Sequence, residues 1–290
     1  MSLPYRFLPA PFTRALACAA LALAATPTLA IDCTKAQTAP EKLICSDARL
    51  KKADAELNRA YADLLKQAGD DGLRTMVRES QRRWLLARDR GLDTLQENLE
   101  AGDREGTLAD AALEMLEART DALQAKARDG KPDLLARAGA QRQFLARFRG
   151  GDYAGYQTSC DVLPPDYTNY ACFATRHYQN GDRICSVDEY FATNAAYTHR
   201  YVADVVEGKP KLIASCNFSG GESGCPQPGD AAGRWNTNPP AFEREFYAKN
   251  LPKIDAEIHD AEDQEWLQVC LTDKSFPLAD PGDSGEKPRR

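Results

Sequence analysis

Apolar positions in the first half of the chain recur at helical spacing. Leu50, Leu57, Tyr61, Leu64 and Leu65 fall on one helix face, and Lys51, Lys52, Glu56, Arg59 and Asp63 fill the others. Gly69-Asp70-Asp71-Gly72 breaks the run. A second stripe (Leu73, Met76, Val77, Ser80, Trp84, Ala87, Leu92, Leu95, Leu99) predicts another helix with Gly91 inside it, ending at Ala101-Gly102-Asp103. A third is expected from Thr107 to Arg128, with Leu108, Ala112, Met115, Leu116, Ala122 and Leu123 facing inward. Short breaks between long amphipathic helices favour antiparallel packing. Residues 31–46 read as a short Cys-bounded opening segment, 31–130 as one helical module, and 131–150 as a linker helical from Asp133 to Arg149.

The pattern changes at Gly150-Gly151. Most of the tyrosines, six cysteines and most of the Pro and Gly lie beyond it. Tyr170 to Tyr178 reads as a strand, and Gln179-Asn180-Gly181-Asp182 carries the Asn-Gly signal of a tight hairpin, with the return strand starting at Arg183–Cys185. Tyr197–Val206, the turn Glu207-Gly208-Lys209-Pro210 and Lys211–Asn217 form a further strand pair. Ser219 to Asn238 reads as a long surface loop pinned by Cys225. Phe242–Lys249 and Ile254–Leu271 read as helices split by Pro252. The expected class is α+β: an antiparallel helical module, then a disulfide-bonded antiparallel sheet unit with C-terminal helices over 151–276. The polar tail 277–290 is expected to be disordered.

The first thirty residues change the compartment. Arg6 and Arg14 precede an Ala/Leu-rich run from Ala15 to Ala25, and Thr28 and Ala30 supply small residues at −3 and −1 of a cut after Ala30. This is the layout of an export signal peptide, and the run is far shorter than the roughly 20 apolar residues that span a bilayer. Cys18 sits inside the run, which argues against lipid anchoring through it. The expected product is periplasmic or secreted, with no membrane span. Of the nine Cys, eight follow the leader: Cys33, Cys45, Cys160, Cys172, Cys185, Cys216, Cys225 and Cys270. An even set in an oxidising compartment reads as a disulfide framework. The six beyond residue 150 allow fifteen connectivities. The preferred set is Cys160–Cys172, Cys185–Cys216 and Cys225–Cys270. A zinc site is the competing reading, but no paired C-x-x-C spacing supports it.

Formal charge is −6 for the whole chain, and removal of Arg6 and Arg14 takes it to −8. No basic face points to nucleic acid. A mildly acidic surface favours encounter with a basic partner and is equally an ordinary solubility feature. Catalytic signals are weak. His177, His199 and His259 are the three His and lack ligand spacing; Ser223 stands in Gly-Glu-Ser-Gly-Cys, which is not a nucleophile elbow; no phosphate-binding loop occurs. Abundant carboxylates leave a glycosidase-like pair open, but the reading is a non-enzyme without cofactor or metal. Tyr153, Tyr156, Tyr167, Tyr170 and Tyr190 form an aromatic set, read as core first and as a ligand or protein surface second.

One ordered series is specific: Asp32-Cys33, Glu41, Ile44-Cys45, Leu50, Asp54, Leu57, Tyr61, Gln81-Arg82, Trp84-Leu85 and Arg88-Asp89. It resembles the N-terminal module of the LprI-type lysozyme-inhibitor family, over about residues 31–125. Two positions depart from that pattern. Gly91 stands where the family usually has a Cys, and Ala111 or Ala112 stands where it has a second at the start of the third helix, so a helix-to-helix bridge is missing as a pair and the module's rigidity is in question. Arg119 matches a later family Arg.

The resemblance implies a binder of lysozyme or another cell-wall lytic enzyme. The alternative is a non-catalytic envelope module with another protein partner. Cys33 and Cys45 would close a short loop worth roughly 3 kcal/mol. Tyr61, Trp84, Arg88 and Asp89 read as scaffolding, with Arg88 and Asp89 pointing to different sides of the helix and each tied elsewhere. A blocker of a two-carboxylate groove needs a cation. Lys35, Glu41 and Arg82 are the partner-facing candidates, with Lys42, Arg78, Arg83 and Arg90 as further cations.

Overall fold

The computed structural model describes residues 31–101, 107–192, 195–219, 224–225, 235–239, 247–259 and 265–277. The expected leader with Cys18, Ser223, most of the long loop, residues 242–246 of an expected helix and the tail from 278 lie outside the described residues.

Five helices come first: α1 (Ala39–Ser46), α2 (Ala48–Gln67), α3 (Asp71–Ala101), α4 (Leu108–Gln124) and α5 (Asp133–Leu145). Helix α1 is an addition to the reading of 31–46 as a plain opening segment. Thr38 and Glu41 form a reciprocal capping box around Pro40, which starts a short helix there. Leu50, Ala53, Leu57, Ala60 and Leu64 of α2 pack against Met76, Val77, Trp84 and Leu92 of α3 and Ala112, Met115, Leu116 and Leu123 of α4. Helix α5 stops at Leu145, four residues short of the expected end.

Five strands follow: β1 (Gly155–Leu163), β2 (Asn169–Asn180), β3 (Arg183–Ala192), β4 (Ala195–Val206) and β5 (Lys209–Ser219). They form one antiparallel meander in the order β1-β2-β3-β4-β5. Strand β1 is absent from the sequence reading. At the β4–β5 turn Glu207 and Gly208 both take left-handed backbone, at φ 52° and 74°, as a two-residue primed turn requires. One sheet face carries Tyr178, Cys185, Val187, Val202 and Ala214, buried beneath Phe144 of α5 and Trp266, Leu267 and Cys270 of α6 (Glu265–Thr272). The class is α+β.

Four disulfides form among the described residues. Cys33–Cys45 and Cys160–Cys172 are as expected, the latter between directly opposed residues of β1 and β2. The other two correct the preferred set: they are Cys185–Cys270 and Cys216–Cys225. Cys185 is on β3 and Cys216 on β5, with β4 between them. Two strand spacings put them about 9.6 Å apart, beyond the roughly 7 Å Cα reach of a disulfide. Helix α6 lies over that face and brings Cys270 to Cys185 instead.

The C-terminal helices are also corrected. Residues 254–259 are turns rather than helix, 247–249 are not helical, and only Glu265–Thr272 coils among the described residues. Asp255 N–H bonds the Gln141 side chain of α5, and Gln141 donates to the Asp255 carbonyl at 2.9 Å. The carbonyls of Asp255 and Ile258, which a helix would use, are thus taken by Gln141.

The helical and sheet parts meet at Gly91. A Cβ there would lie 2.4 Å from Val162 Cγ2, 2.9 Å from Met115 Cε and 3.2 Å from the Tyr167 carbonyl. The place where the resemblance implies a cysteine is therefore filled by β1 and by Met115 of α4, which packs the helix pair without a bridge. Gly91→Ala should lower stability despite a gain of up to roughly 1 kcal/mol in helix propensity, because overpacking costs about 1–3 kcal/mol. Urea unfolding of Gly91→Ala, Val162→Ala and the double variant checks this, the double variant recovering part of the loss.

Candidate functional site

The inner face of α3 carries Ser80, Gln81, Trp84 and Arg88 at successive helical turns, all buried. Arg119 of α4 enters between them with 1% of its side chain exposed. Its Nε donates to Gln81 Oε1 at 3.1 Å, Nη2 to Ser80 Oγ at 2.7 Å and Nη1 to Glu257 Oε1 at 2.8 Å. Its guanidinium lies 5.9 Å from the Trp84 ring centre and 5.7 Å from that of Tyr170. The Ser80 hydroxyl donates onward to Glu257. Beside this node Arg83 Nη2 reaches both Asp255 oxygens at 2.8 Å.

The two carboxyls of segment 254–259 respond differently. Burial pushes Glu257 up, but the Arg119 charge and the hydrogen bonds from Ser80 and Arg119 outweigh it and hold the carboxyl below its ordinary value. For Asp255 burial wins over the Arg83 charge, and the carboxyl is raised. Burial likewise raises the Tyr170 hydroxyl.

The three partner-facing candidates are not brought together. Lys35 is exposed, with Nζ 3.1 Å from the Asp32 carboxylate; Asp32 is held at about 2, chiefly by the Thr34 hydroxyl and Lys35. Glu41 is occupied by the α1 cap, its Oε2 accepting from Gln37 N–H at 2.8 Å and Thr38 N–H at 3.1 Å. Arg82 projects from α3 and pairs with Glu79 at 2.8 Å. Arg83 and Arg90 face the sheet part, Arg90 reaching Asp161 at 3.1 Å and the Cys160 carbonyl at 3.0 Å. Tyr61 packs at the edge of the helical core and Trp84 inside it.

Arg88 and Asp89 correct the expectation that they cannot pair. Arg88 Nε and Nη2 donate to Asp89 Oδ1 at 2.8 and 2.6 Å, while the guanidinium lies 5.5 Å from the Trp84 ring centre. Adjacent helical residues diverge at Cβ, but a side chain as long as Arg can curl back beside the Trp84 ring.

The outer face of α3 was not singled out from the sequence. Leu85 and Leu86 are 37% and 48% exposed, on the same exposed side as Arg78 and Arg82. The signal was available. With Trp84 buried, about 100° per residue carries the next two leucines away from the core.

A second concavity lies in the sheet. Strands β2 and β3 pair only over 175–180 and 183–188, and beyond these residues they part. The cleft between them has a volume of about 540 Å³ and is lined by Phe173, Thr175, Asp188, Glu189, Tyr190 and Phe191 among others. Tyr190, 38% exposed, stacks on Tyr197 at 5.3 Å. Tyr153 and Tyr156 are buried, Tyr170 lies against Arg119, and Tyr167 packs on the helical core. His177 Nδ1 is 2.6 Å from Ser186 Oγ. His199 Nδ1 is 2.9 Å from the Tyr201 hydroxyl, with burial lowering the imidazole pKa. His259 Nε2 lies 2.8 Å from Arg137 Nη1. Among the described residues no group of three or more His, Cys, Asp or Glu side chains is arranged to hold a metal.

Compared with known proteins, residues 32–127 match the family model described as Lysozyme inhibitor LprI. The match spans the Cys33–Cys45 segment and α1 to α4, and the sheet lies outside it. No curated protein and no solved structure matches the chain.

Arg119→Met should cost about 3–5 kcal/mol in chemical denaturation, because it strands Glu257 as a buried charge. Because native Glu257 titrates below its ordinary value, the stability it contributes is present above that value and is lost as pH falls towards the folded one. Asp255, raised in the native state, takes up its proton early and does not add to that loss. Glu257→Gln should therefore flatten the acid limb of the stability profile, as measured by melting between pH 7 and pH 3.

Proposed function

We propose that the chain is exported and that it binds and restrains lysozyme or a related cell-wall hydrolase, with no catalysis of its own. The match of residues 32–127 to the Lysozyme inhibitor LprI model carries this reading. Four disulfides suit an oxidising compartment. No helix among the described residues is long and apolar enough to cross a membrane.

The outer face of α3 is the surface best suited to the task. Leu85 and Leu86 supply an exposed apolar anchor, with Arg78 and Arg82 beside it. A glycosidase groove holds two carboxyl groups, so a cation next to an apolar anchor complements it in charge and shape. Arg82 and Lys35 each already meet a neighbouring carboxylate, so the apolar anchor beside Arg82 is what favours this face, and Glu41 is committed to a cap. The open cleft between β2 and β3, outside the family match, favours a second reading: an envelope module whose sheet part engages a further partner.

Titration of lysozyme-catalysed lysis with the oxidised mature chain should give dose-dependent inhibition. Leu86→Asp combined with Arg82→Glu should raise the inhibitory concentration at least about tenfold, equivalent to about 1.4 kcal/mol of binding, without lowering the melting temperature. Undiminished lysis at a large molar excess of the folded chain would defeat the proposal.

A further inference from the structure

Asp54 is an ionisable residue on the buried stripe of α2, between Leu50 and Leu57, and it is 4% exposed. A carboxylate in such a place needs a counter-charge or several donors. Among the described residues its carboxylate has one donor, the backbone nitrogen of Ile31, at 2.9 Å from Oδ2. Asn58 donates to the Asp54 backbone carbonyl and leaves the carboxylate alone. No Lys or Arg ion pair reaches Asp54 among the described residues, where the half-buried Asp47 and the exposed Asp70 each have an Arg partner.

Ile31 is also the residue that follows the cut expected after Ala30. We propose that Ala30–Ile31 is the processing site and that the α-ammonium group released on Ile31 is the counter-ion of Asp54, so that leader removal completes the electrostatics of the helical core. Water adds across the Ala30–Ile31 amide under an export peptidase. Ala30 leaves as a carboxylate, and Ile31 keeps a primary amine that takes a proton at neutral pH. A neutral N–H donor then becomes a charged one at the same place. Little rearrangement is needed. The nitrogen already faces Oδ2, the Ile31 side chain packs on the helical core, and the Cys33–Cys45 bridge holds the segment two residues further on. The inference does not depend on which partner the module binds.

The direction of the pH effect follows. An α-amino group titrates ordinarily at about 7.7–8.0, and pairing with a buried carboxylate raises that value. Its contribution to stability is complete below the ordinary value and is lost as pH rises through the folded one.

The test is protein exported with its own leader, analysed by N-terminal sequencing and compared with a chain that starts at Ala30. The first residue of the exported product should be Ile31. At pH 6 the chain starting at Ala30 should melt several degrees lower, and the gap should close as pH rises through titration of the amine. Asp54→Asn should abolish the difference between the two N-termini. If that variant does not fold, the comparison of N-termini with Asp54 intact still decides. A mature chain beginning elsewhere, or equal melting of the two N-termini at pH 6, overturns the proposal.

Discussion

A guanidinium enclosed between two helices must find acceptors for its N–H groups, and that requirement organises this molecule. Arg119 takes one acceptor from Gln81 and one from Ser80, both on α3. The third, Glu257, comes from a segment more than a hundred residues away that belongs to the sheet part. The helices matched by the family model therefore do not neutralise the buried charge of Arg119 by themselves. The requirement of Arg119 draws segment 254–259 onto α3, Arg83 and Gln141 hold Asp255 there, and Arg176 of β2 donates to the His259 carbonyl at 2.7 Å from the other side.

Gly91 is the packing counterpart of that electrostatic contact. Absence of the helix-to-helix bridge raised a question about rigidity, and the structure places Val162, the Tyr167 backbone and Met115 against the glycine. A side chain there, cysteine included, would push β1 away. The small residue at this position and the sheet packed against α3 require each other.

What could be read in advance depended on the range of the interaction. The long helices follow from local periodicity, and the β2–β3 hairpin from turn chemistry, its two turn residues being Gly181 and Asp182 with Gly181 at φ 61°. Helix α1 was legible too, since Thr38 and Glu41 have capping-box spacing around Pro40. Strand β1 has little in its sequence to separate it from a loop, and its pairing partner lies beyond a turn with two prolines. Ile254 and Ile258 have helical spacing, yet long-range bonds to Gln141 decide that backbone. For the site, Gln81, Trp84 and Arg119 stood in the matched series. Leu85 and Leu86 adjoin Trp84 in one apolar run, and only the phase of the helix separates the buried residue from the two exposed ones. Cys185 and Cys216 could be separated only once strand order was known.

The Cys185–Cys270 bridge closes a ring with a sequence separation of 85 that contains segment 254–259. Cutting that one covalent link would leave α6 held to the sheet by its buried Trp266, Leu267 and Leu271, and would give the segment slack. Glu257 could then retreat from Arg119, leaving a naked cation among the helices. A reducing environment would in this way soften the helical module from a distance, through a thiol pair that lies wholly outside it.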